Sequence, residues 1–179
     1  MTYIITTPLY YVNDKPHLGS VYTTIICDSI AKYNRLKGKK VTFITGVDEH
    51  GLKIQRTAQS NGLSPSDHCD VISDIFYSNW NDWNISFDKF IRTSSKHHLS
   101  IVHEFYKKVR NSNDIYMGVQ KGWYCVGCEE FKENPDNSPL AQCPIHKKNL
   151  EWRDEENLFF RLSKYQNQIE EIINRDDFI

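Results

Sequence analysis

Two signatures that announce many nucleotide-binding folds are missing from this sequence: it has no Gly-x-Gly-x-x-Gly and no Gly-x-x-x-x-Gly-Lys-Ser/Thr. Their absence removes the dinucleotide fingerprint and the P-loop as sources of any nucleotide chemistry. A basic excess is missing as well. Twenty-two lysines and arginines stand against 23 acids, for a formal net charge of -1, whereas a grip on a phosphate backbone normally shows as clustered positive charge. No apolar run reaches membrane-spanning length, and Met1-Thr2-Tyr3-Ile4-Ile5 has neither the basic leader nor the long apolar stretch of a secretory signal. Five cysteines, an odd number, argue against a closed disulfide framework. Internal repeats and low-complexity segments are absent too. The expected compartment is the cytoplasm, with no membrane partner.

What is present is ordinary for a globular protein, with 39% hydrophobic and 25% charged residues in 179. That length encloses one good core and at most a small second unit. Tyr3 to Thr6 and Val41 to Thr45 are β-favouring runs, and between them Leu18, Val21, Tyr22, Ile25, Ile26, Ile30 and Tyr33 recur at helical spacing. Two strands joined by a crossover helix lie parallel in one sheet, so the loop after the first strand opens at the sheet's carboxyl edge. A helix is expected from Leu52 to about Asn61, stopped by Gly62. Ser64-Pro65-Ser66-Asp67 restarts one, with serine as N-cap and proline at the first helical position. Phe90 to Thr93 reads as a third strand, followed by a helix around Val102, Phe105, Tyr106 and Val109.

The turn cluster Asn111-Ser112-Asn113-Asp114 ends this rhythm, and an inserted subdomain of short pieces rich in Gly, Cys and Pro is expected beyond it. Ser163 with Gln166 predicts a capping box ahead of a helix whose apolar face carries Tyr165, Ile169, Ile172 and Ile173. Inside the insertion, Cys125-Val126-Gly127-Cys128 and Cys143-Pro144-Ile145-His146 are two ligand pairs of matched spacing, separated by a segment that includes Asn134, Pro135, Asp136 and Asn137. Two residues between ligands let both side chains of a tight turn face one ion, and three thiolates with one imidazole complete the tetrahedron that Zn2+ prefers. A closed shell of this kind is structural. Buried thiols would not explain two matched spacings, and a redox pair would follow a strand and open a helix. Cys27 and Cys69 fall in helical segments and read as small hydrophobes.

A second constellation lies at the carboxyl edge. Pro16-His17-Leu18-Gly19-Ser20 opens the crossover helix, where free amides and the helix dipole favour phosphate, and Gly19 lets a flat base approach the backbone. Thr45-Gly46-Val47-Asp48-Glu49-His50-Gly51 brings two acids and a histidine to the same edge, where open α/β sheets bind ligands. For Glu49 a polar turn capping the next helix is an equal reading.

His17-Leu18-Gly19-Ser20 resembles the HIGH motif of class I aminoacyl-tRNA synthetases. Thr6 to Asn13, Gly46 to Gly51, Phe90 to Thr93, Trp123-Tyr124-Cys125 and Phe159 to Tyr165 extend the likeness, in order and over essentially the whole chain, to the N-terminal part of the methionyl-tRNA synthetases. The resemblance implies an α/β fold: the N-terminal part of a Rossmann-like catalytic domain with a zinc-binding connective insertion. Residues 1–113 would be the first half of the nucleotide-binding domain, and 114–179 the insertion, incomplete at its C-terminus. The implied reaction is methionine activation by ATP with Mg2+ to methionyl adenylate, followed by transfer to tRNA(Met), which would be held mainly by parts missing from this chain. His17 and Ser20 would be catalytic, contacting ATP with Gly19. Leu9, Tyr11 and Asp48 would bind methionine, Asp48 through its ammonium. Cys125, Cys128, Cys143 and His146 would hold zinc.

Two departures stand out. Ser20 occupies the place of the motif's second histidine, and no counterpart of the KMSKS loop, the second half of the sheet or the anticodon-binding domain occurs before Ile179, so the chain alone is expected to be inactive. The cysteine and leucine synthetases share the HIGH-like signal, but the zinc spacing and the Tyr11 and Asp48 blocks favour methionine. The competing reading from another class is a noncatalytic zinc-bearing fragment that binds a nucleotide or a partner.

Overall fold

The computed structural model describes residues 2–133 and 138–175. The linking segment 134–137 and the terminal 176–179 lie outside the described residues. The chain divides into two compact units, Met1–Ile101 and Val102–Ile179.

The first unit is built on a parallel sheet. Its elements are β1 (Tyr3–Thr6), β2 (Tyr10–Tyr11), α1 (Leu18–Leu36), β3 (Val41–Asp48), α2 (Leu52–Ser60), α3 (Pro65–Asp82), β4 (Lys89–Arg92) and the start of α4 (Lys96–Asn111). β1, β2 and β4 each pair with β3 in parallel. Ile44 is shared by β1 and β4, and Val47 by β2 and β4, so β1 and β2 run along one flank of β3 and β4 along the other. β1 and β2 are one strand interrupted. Thr6 faces Ile44 but Tyr10 faces Val47, so Thr7, Pro8 and Leu9 span the length of two β3 residues. Proline cannot donate to a ladder, and an extra residue there re-aims the side chains that follow. The expected strand over Val41 to Thr45 runs on to Asp48, and Tyr10–Tyr11 is a strand the periodicity did not predict.

The core joins Phe43 and Val47 of β3 to Ala31 of α1, Ile54 of α2, and Ile72, Phe76 and Trp80 of α3. Tyr10 stacks on Phe76 at 5.6 Å, and Trp80 meets both rings edge-on, geometries worth about 0.5–1.5 kcal/mol each beyond their area. Ser64 caps α3 by accepting the Asp67 amide, with Pro65 at the first position, and Gly62 ends the preceding turn at φ +69°, both as the sequence predicts. α1 turns a largely polar face inward. Its buried residues are Ser20, Thr24, Asp28, Ala31 and Asn34, while the periodic Leu18, Tyr22, Ile25, Ile26, Ile30 and Tyr33 are exposed. The polar face can be buried because its groups are paired: Thr24 with the Tyr10 hydroxyl at 2.8 Å, and Asp28 with the Ser86 amide, the Ser86 hydroxyl and Lys32.

The second unit is an antiparallel ladder, β6 (Glu130–Lys132), β5 (Ile115–Cys125) and β7 (Glu151–Phe160) in that order, followed by a 3-10 turn (Leu162–Tyr165) and α5 (Gln166–Ile173). The short pieces expected here are in fact two long strands paired over ten residues. The Ser163 capping box does not form: Ser163 falls inside the 3-10 turn, and Tyr165 precedes α5 without a side-chain cap. Beyond the ladder, the buried hydrophobic cluster contains only Cys125, Cys143 and Leu150 among the described residues, too little to hold a loop-built unit by apolar burial alone.

Candidate functional site

At the carboxyl edge of the parallel sheet, β2 ends at Tyr11, β3 at Asp48 and β4 at Arg92, and register sets Tyr11 beside Asp48. The start of α1 faces a cleft of about 310 Å³, lined by Leu9, Tyr11, Lys15, His17, Ser20 and Lys53 among others. His17 is the helix N-cap. Its Nδ1 accepts the Gly19 amide at 3.0 Å, and the Ser20 hydroxyl accepts the His17 amide at 3.0 Å. The Gly19 amide is therefore engaged by the cap rather than free for phosphate. The ring gains a defined tautomer instead: with Nδ1 accepting, the proton of a neutral imidazole sits on Nε2. Gly19 is demanded by this arrangement, because a Cβ there would lie 2.8 Å from His17 Cε1. Buried Ser20 turns its hydroxyl back to the His17 carbonyl at 2.8 Å, so it braces the cap.

Leu9 and Tyr11 are 39% and 48% exposed and line the cleft; half-buried Asp48 does not line it but lies next to Tyr11 in register. The Asp48 carboxylate accepts the His50 amide at 3.3 Å, with the Thr93 hydroxyl at 3.5 Å. Behind it is a group the sequence reading left undecided. Glu49 does not cap the next helix in solvent: its side chain is fully buried and receives Arg92 at 2.7 Å, the Ser73 and Ser94 hydroxyls at 2.6 Å each, and the Ser94 amide. Arg92 also pairs with Asp70. This network ties the ends of β3 and β4 to α3. Lys15 and Lys53, the cleft's cations, were missed in the sequence; only the position of Lys53 two residues after Gly51 hinted at it.

The four predicted metal ligands come together, their donor atoms all within 4.8 Å of one another. Cys128 Sγ lies 3.5 Å from Cys143 Sγ and 3.3 Å from His146 Nδ1, and Cys125 and Cys143 Sγ are each 3.8 Å from Nδ1. A tetrahedron with bonds of about 2.3 Å has edges near 3.8 Å. The two turns repeat one geometry. In each, the second ligand's amide donates to the first ligand's sulfur, at 3.4 Å from Cys128 and 3.5 Å from His146. In each, the following residue, Glu129 or Lys147, has positive φ and donates its amide to the first ligand's carbonyl at 2.8 Å. A Cβ on Gly127 would meet the His146 ring at 2.6 Å, so only glycine lets the two turns close on a common point. The His146 amide holds the Cys143 thiol down to about 6, while burial and the adjoining sulfurs push Cys128 up to about 11. A cation that replaces thiol protons relieves that conflict. This Cys/His cluster can bind a metal ion.

A family profile described as "tRNA synthetases class I (M)" matches residues 3–144. The chain belongs to that family. Similar proteins include the methionine--tRNA ligases of Nostoc sp., 54% identical over 180 residues and 99% of this chain, and of Thermosynechococcus vestitus, 56% identical over 166 residues and 92% of this chain. The chloroplastic/mitochondrial enzyme of Arabidopsis thaliana is 51% identical over 96% of this chain. The Mycobacterium tuberculosis methionyl-tRNA synthetase, solved in complex with methionyl-adenylate, superposes with a TM-score of 0.85 at 34% identity, over 95% of this chain and 34% of its own. The chain covers 34%, 31% and 28% of those three relatives' lengths, about a third of a class I synthetase of this type. No helix among the described residues is long and apolar enough to cross a membrane.

Proposed function

We propose that this chain provides the first half of the catalytic domain (1–113) and the zinc-bearing connective insertion (114–179) of a methionine--tRNA ligase acting in the cytoplasm. The observation that carries the reading is the pairing, at one sheet edge, of an imidazole with a defined donor and a carboxylate in register beside Tyr11. Asp48 binds the methionine ammonium, and Leu9 and Tyr11 contact its side chain, where shape and a weak contact to the thioether govern selection. The methionine carboxylate oxygen attacks the α-phosphorus of ATP in line, the bond to the bridging oxygen breaks, and pyrophosphate leaves. No covalent enzyme intermediate is needed, so positioning and charge stabilisation do the catalysis.

In this scheme His17 Nε2–H donates to phosphate oxygens as their charge grows. Ser20 contributes by fixing the cap that sets the ring, and Gly19 leaves room for both ring and adenine. Lys15 and Lys53 add positive charge along the cleft. Mg2+ arrives with ATP as part of the substrate. Cys125, Cys128, Cys143 and His146 hold Zn2+, which supplies the folding energy that the small hydrophobic cluster lacks. tRNA(Met) is gripped mainly by portions of the relatives' length outside this chain, in keeping with the net charge of -1.

In the complete protein, His17→Ala should lower the rate of methionyl adenylate formation on the order of 10²-fold with little change in methionine affinity. Asp48→Ala should instead raise the methionine KM about 10- to 100-fold. Pyrophosphate exchange measured against methionine and ATP separates the two, and equal effects of both substitutions on methionine binding would show that the roles are misassigned.

A further inference from the structure

Two of the three sulfurs in the Cys125, Cys128, Cys143 and His146 cluster are doubly shielded. Cys125 is 2% exposed and Cys143 0%, and each sulfur accepts a backbone amide, from Cys128 at 3.4 Å and from His146 at 3.5 Å. Burial keeps reagents away, and a hydrogen bond to a thiolate lowers its nucleophilicity. Cys128 has neither shield. It is half-buried, beside exposed His146, and among the described residues no backbone amide donates to its sulfur, which lies instead 3.5 Å from Cys143 Sγ and 3.3 Å from His146 Nδ1.

Three thiolates and a neutral imidazole around a divalent ion leave one net negative charge, so the sulfurs keep the thiolate character that cysteine nucleophiles require. Oxidant-sensitive cysteines are thiolate-like, accessible and set beside a second cysteine that resolves them. Cys128 with Cys143 meets all three conditions. We infer that Cys128 is a modification site for hydrogen peroxide and that Cys143 resolves it, so that the metal cluster is a clasp which an oxidant opens reversibly. In the first step Cys128 Sγ attacks a peroxide oxygen: an S–O bond forms, the O–O bond breaks and hydroxide leaves, with sulfur oxidised to the sulfenic acid and the peroxide reduced. In the second, Cys143 Sγ attacks Cys128 Sγ and expels a further hydroxide, and each hydroxide takes a proton from solvent to become water. The product disulfide links the two turns across their common point, not the Cys125 to Cys128 turn within itself. Two anionic ligands are consumed, and Cys125 with His146 cannot supply the four donors of a structural zinc site. This inference rests on the metal-site reading of the four ligands.

The test uses the full 179-residue chain, loaded with zinc and treated with hydrogen peroxide. Released metal is read with a chromogenic chelator, sulfenic acid is trapped with dimedone, and the thiols are mapped by peptide mass. Zinc should leave in step with formation of the Cys128 to Cys143 link, dimedone should mark Cys128 first, and reduction by a dithiol should restore metal binding. Limiting iodoacetamide on the zinc-loaded wild type, a measurement that needs no variant, should label Cys128 several-fold faster than Cys125 or Cys143. Cys128→His keeps four ligands without a thiol at the accessible corner; it should hold zinc and release it several-fold more slowly under peroxide. First labelling at Cys125 or Cys143, a disulfide between any other pair, or release from Cys128→His as fast as from wild type overturns the inference. So does zinc that stays bound at a peroxide dose that already oxidises exposed Met117. A wild-type chain that takes up no zinc removes the metal-site reading itself, and this inference with it.

Discussion

Asp114 carries its charge where a carboxylate is rarely found, 1% exposed at the entry to β5. It is accommodated because Lys164 reaches it at 2.6 Å and the Ser112 and Tyr165 hydroxyls at 2.5 Å, holding its acid constant down at about 2. Its carbonyl accepts the Arg161 amide at 2.8 Å, so one residue joins the strand entering the insertion to the chain leaving it. The sign of the pH effect follows. A carboxylate held below its unfolded value near 3.9 contributes stability that is present above about pH 4 and is lost as pH falls toward 2. We expect the second unit to loosen selectively over that window, followed by tryptophan fluorescence at Trp123 and Trp152. Asp114→Asn should lower the melting temperature at neutral pH and abolish that acid step; an acid profile unchanged by the substitution would exclude Asp114 as its source. The sequence named Glu49 and Asp114 without revealing their roles, because their cationic partners, Arg92 and Lys164, stand 43 and 50 positions away. The meeting of Cys125, Cys128, Cys143 and His146 was legible because both pairs have a spacing that is itself chemical.

At the scale of elements, β3 is the axis of the first unit, and Gly46 decides how closely β4 can approach it. A Cβ at Gly46 would fall 2.1 Å from the Ile91 carbonyl oxygen and 2.7 Å from its nitrogen, both backbone atoms that cannot rotate away. Gly46→Ala must therefore push β3 and β4 apart, at a cost of about 1–3 kcal/mol or more, and drag the Glu49 to Arg92 pair with it. Expected outcomes are a lower denaturation midpoint and, in the complete protein, a raised methionine KM as Asp48 shifts; an alanine variant of wild-type stability would mean the strands have slack that the structure does not show. Strand and helix positions in this unit were largely readable from periodicity, because alternation and turn residues act locally. The interruption at Pro8 and the second strand Tyr10–Tyr11 were not, since a two-residue strand exists only through its partner. For α1 the spacing gave the helix but not its buried face: helical spacing reports which residues share a face, and here hydrogen-bonded Thr24 and Asp28 face inward.

For the molecule as a whole, the exposed residues carry as much information as the core. Leu18, Tyr22 and Leu36 of α1 are 83%, 66% and 88% exposed, on a helix that also presents Ile25, Ile26, Ile30 and Tyr33, a contiguous apolar stripe of the kind that soluble monomers rarely leave to water. β1 is an edge strand with Ile4 64% exposed, which offers unpaired backbone to any second chain. A site that binds a small substrate tightly encloses most of its surface, yet Leu9 and Tyr11 stand 39% and 48% open. A thioether side chain against them would be covered on one side only, and the departing pyrophosphate would meet Lys15, Lys53 and His17 with no opposing wall. The 179-residue chain by itself is therefore expected to show no methionine-dependent exchange of pyrophosphate into ATP, and to associate as its concentration rises, in sedimentation velocity runs. Replacing Leu18, Tyr22 and Leu36 together by glutamine should suppress the association without disturbing the buried polar face of α1. Robust exchange by the purified chain, abolished in His17→Ala so that a contaminating enzyme is excluded, would mean that these residues close a complete site unaided. A monomer at all concentrations would mean that the stripe on α1 is tolerated by water, and that the case for a covering surface fails with it.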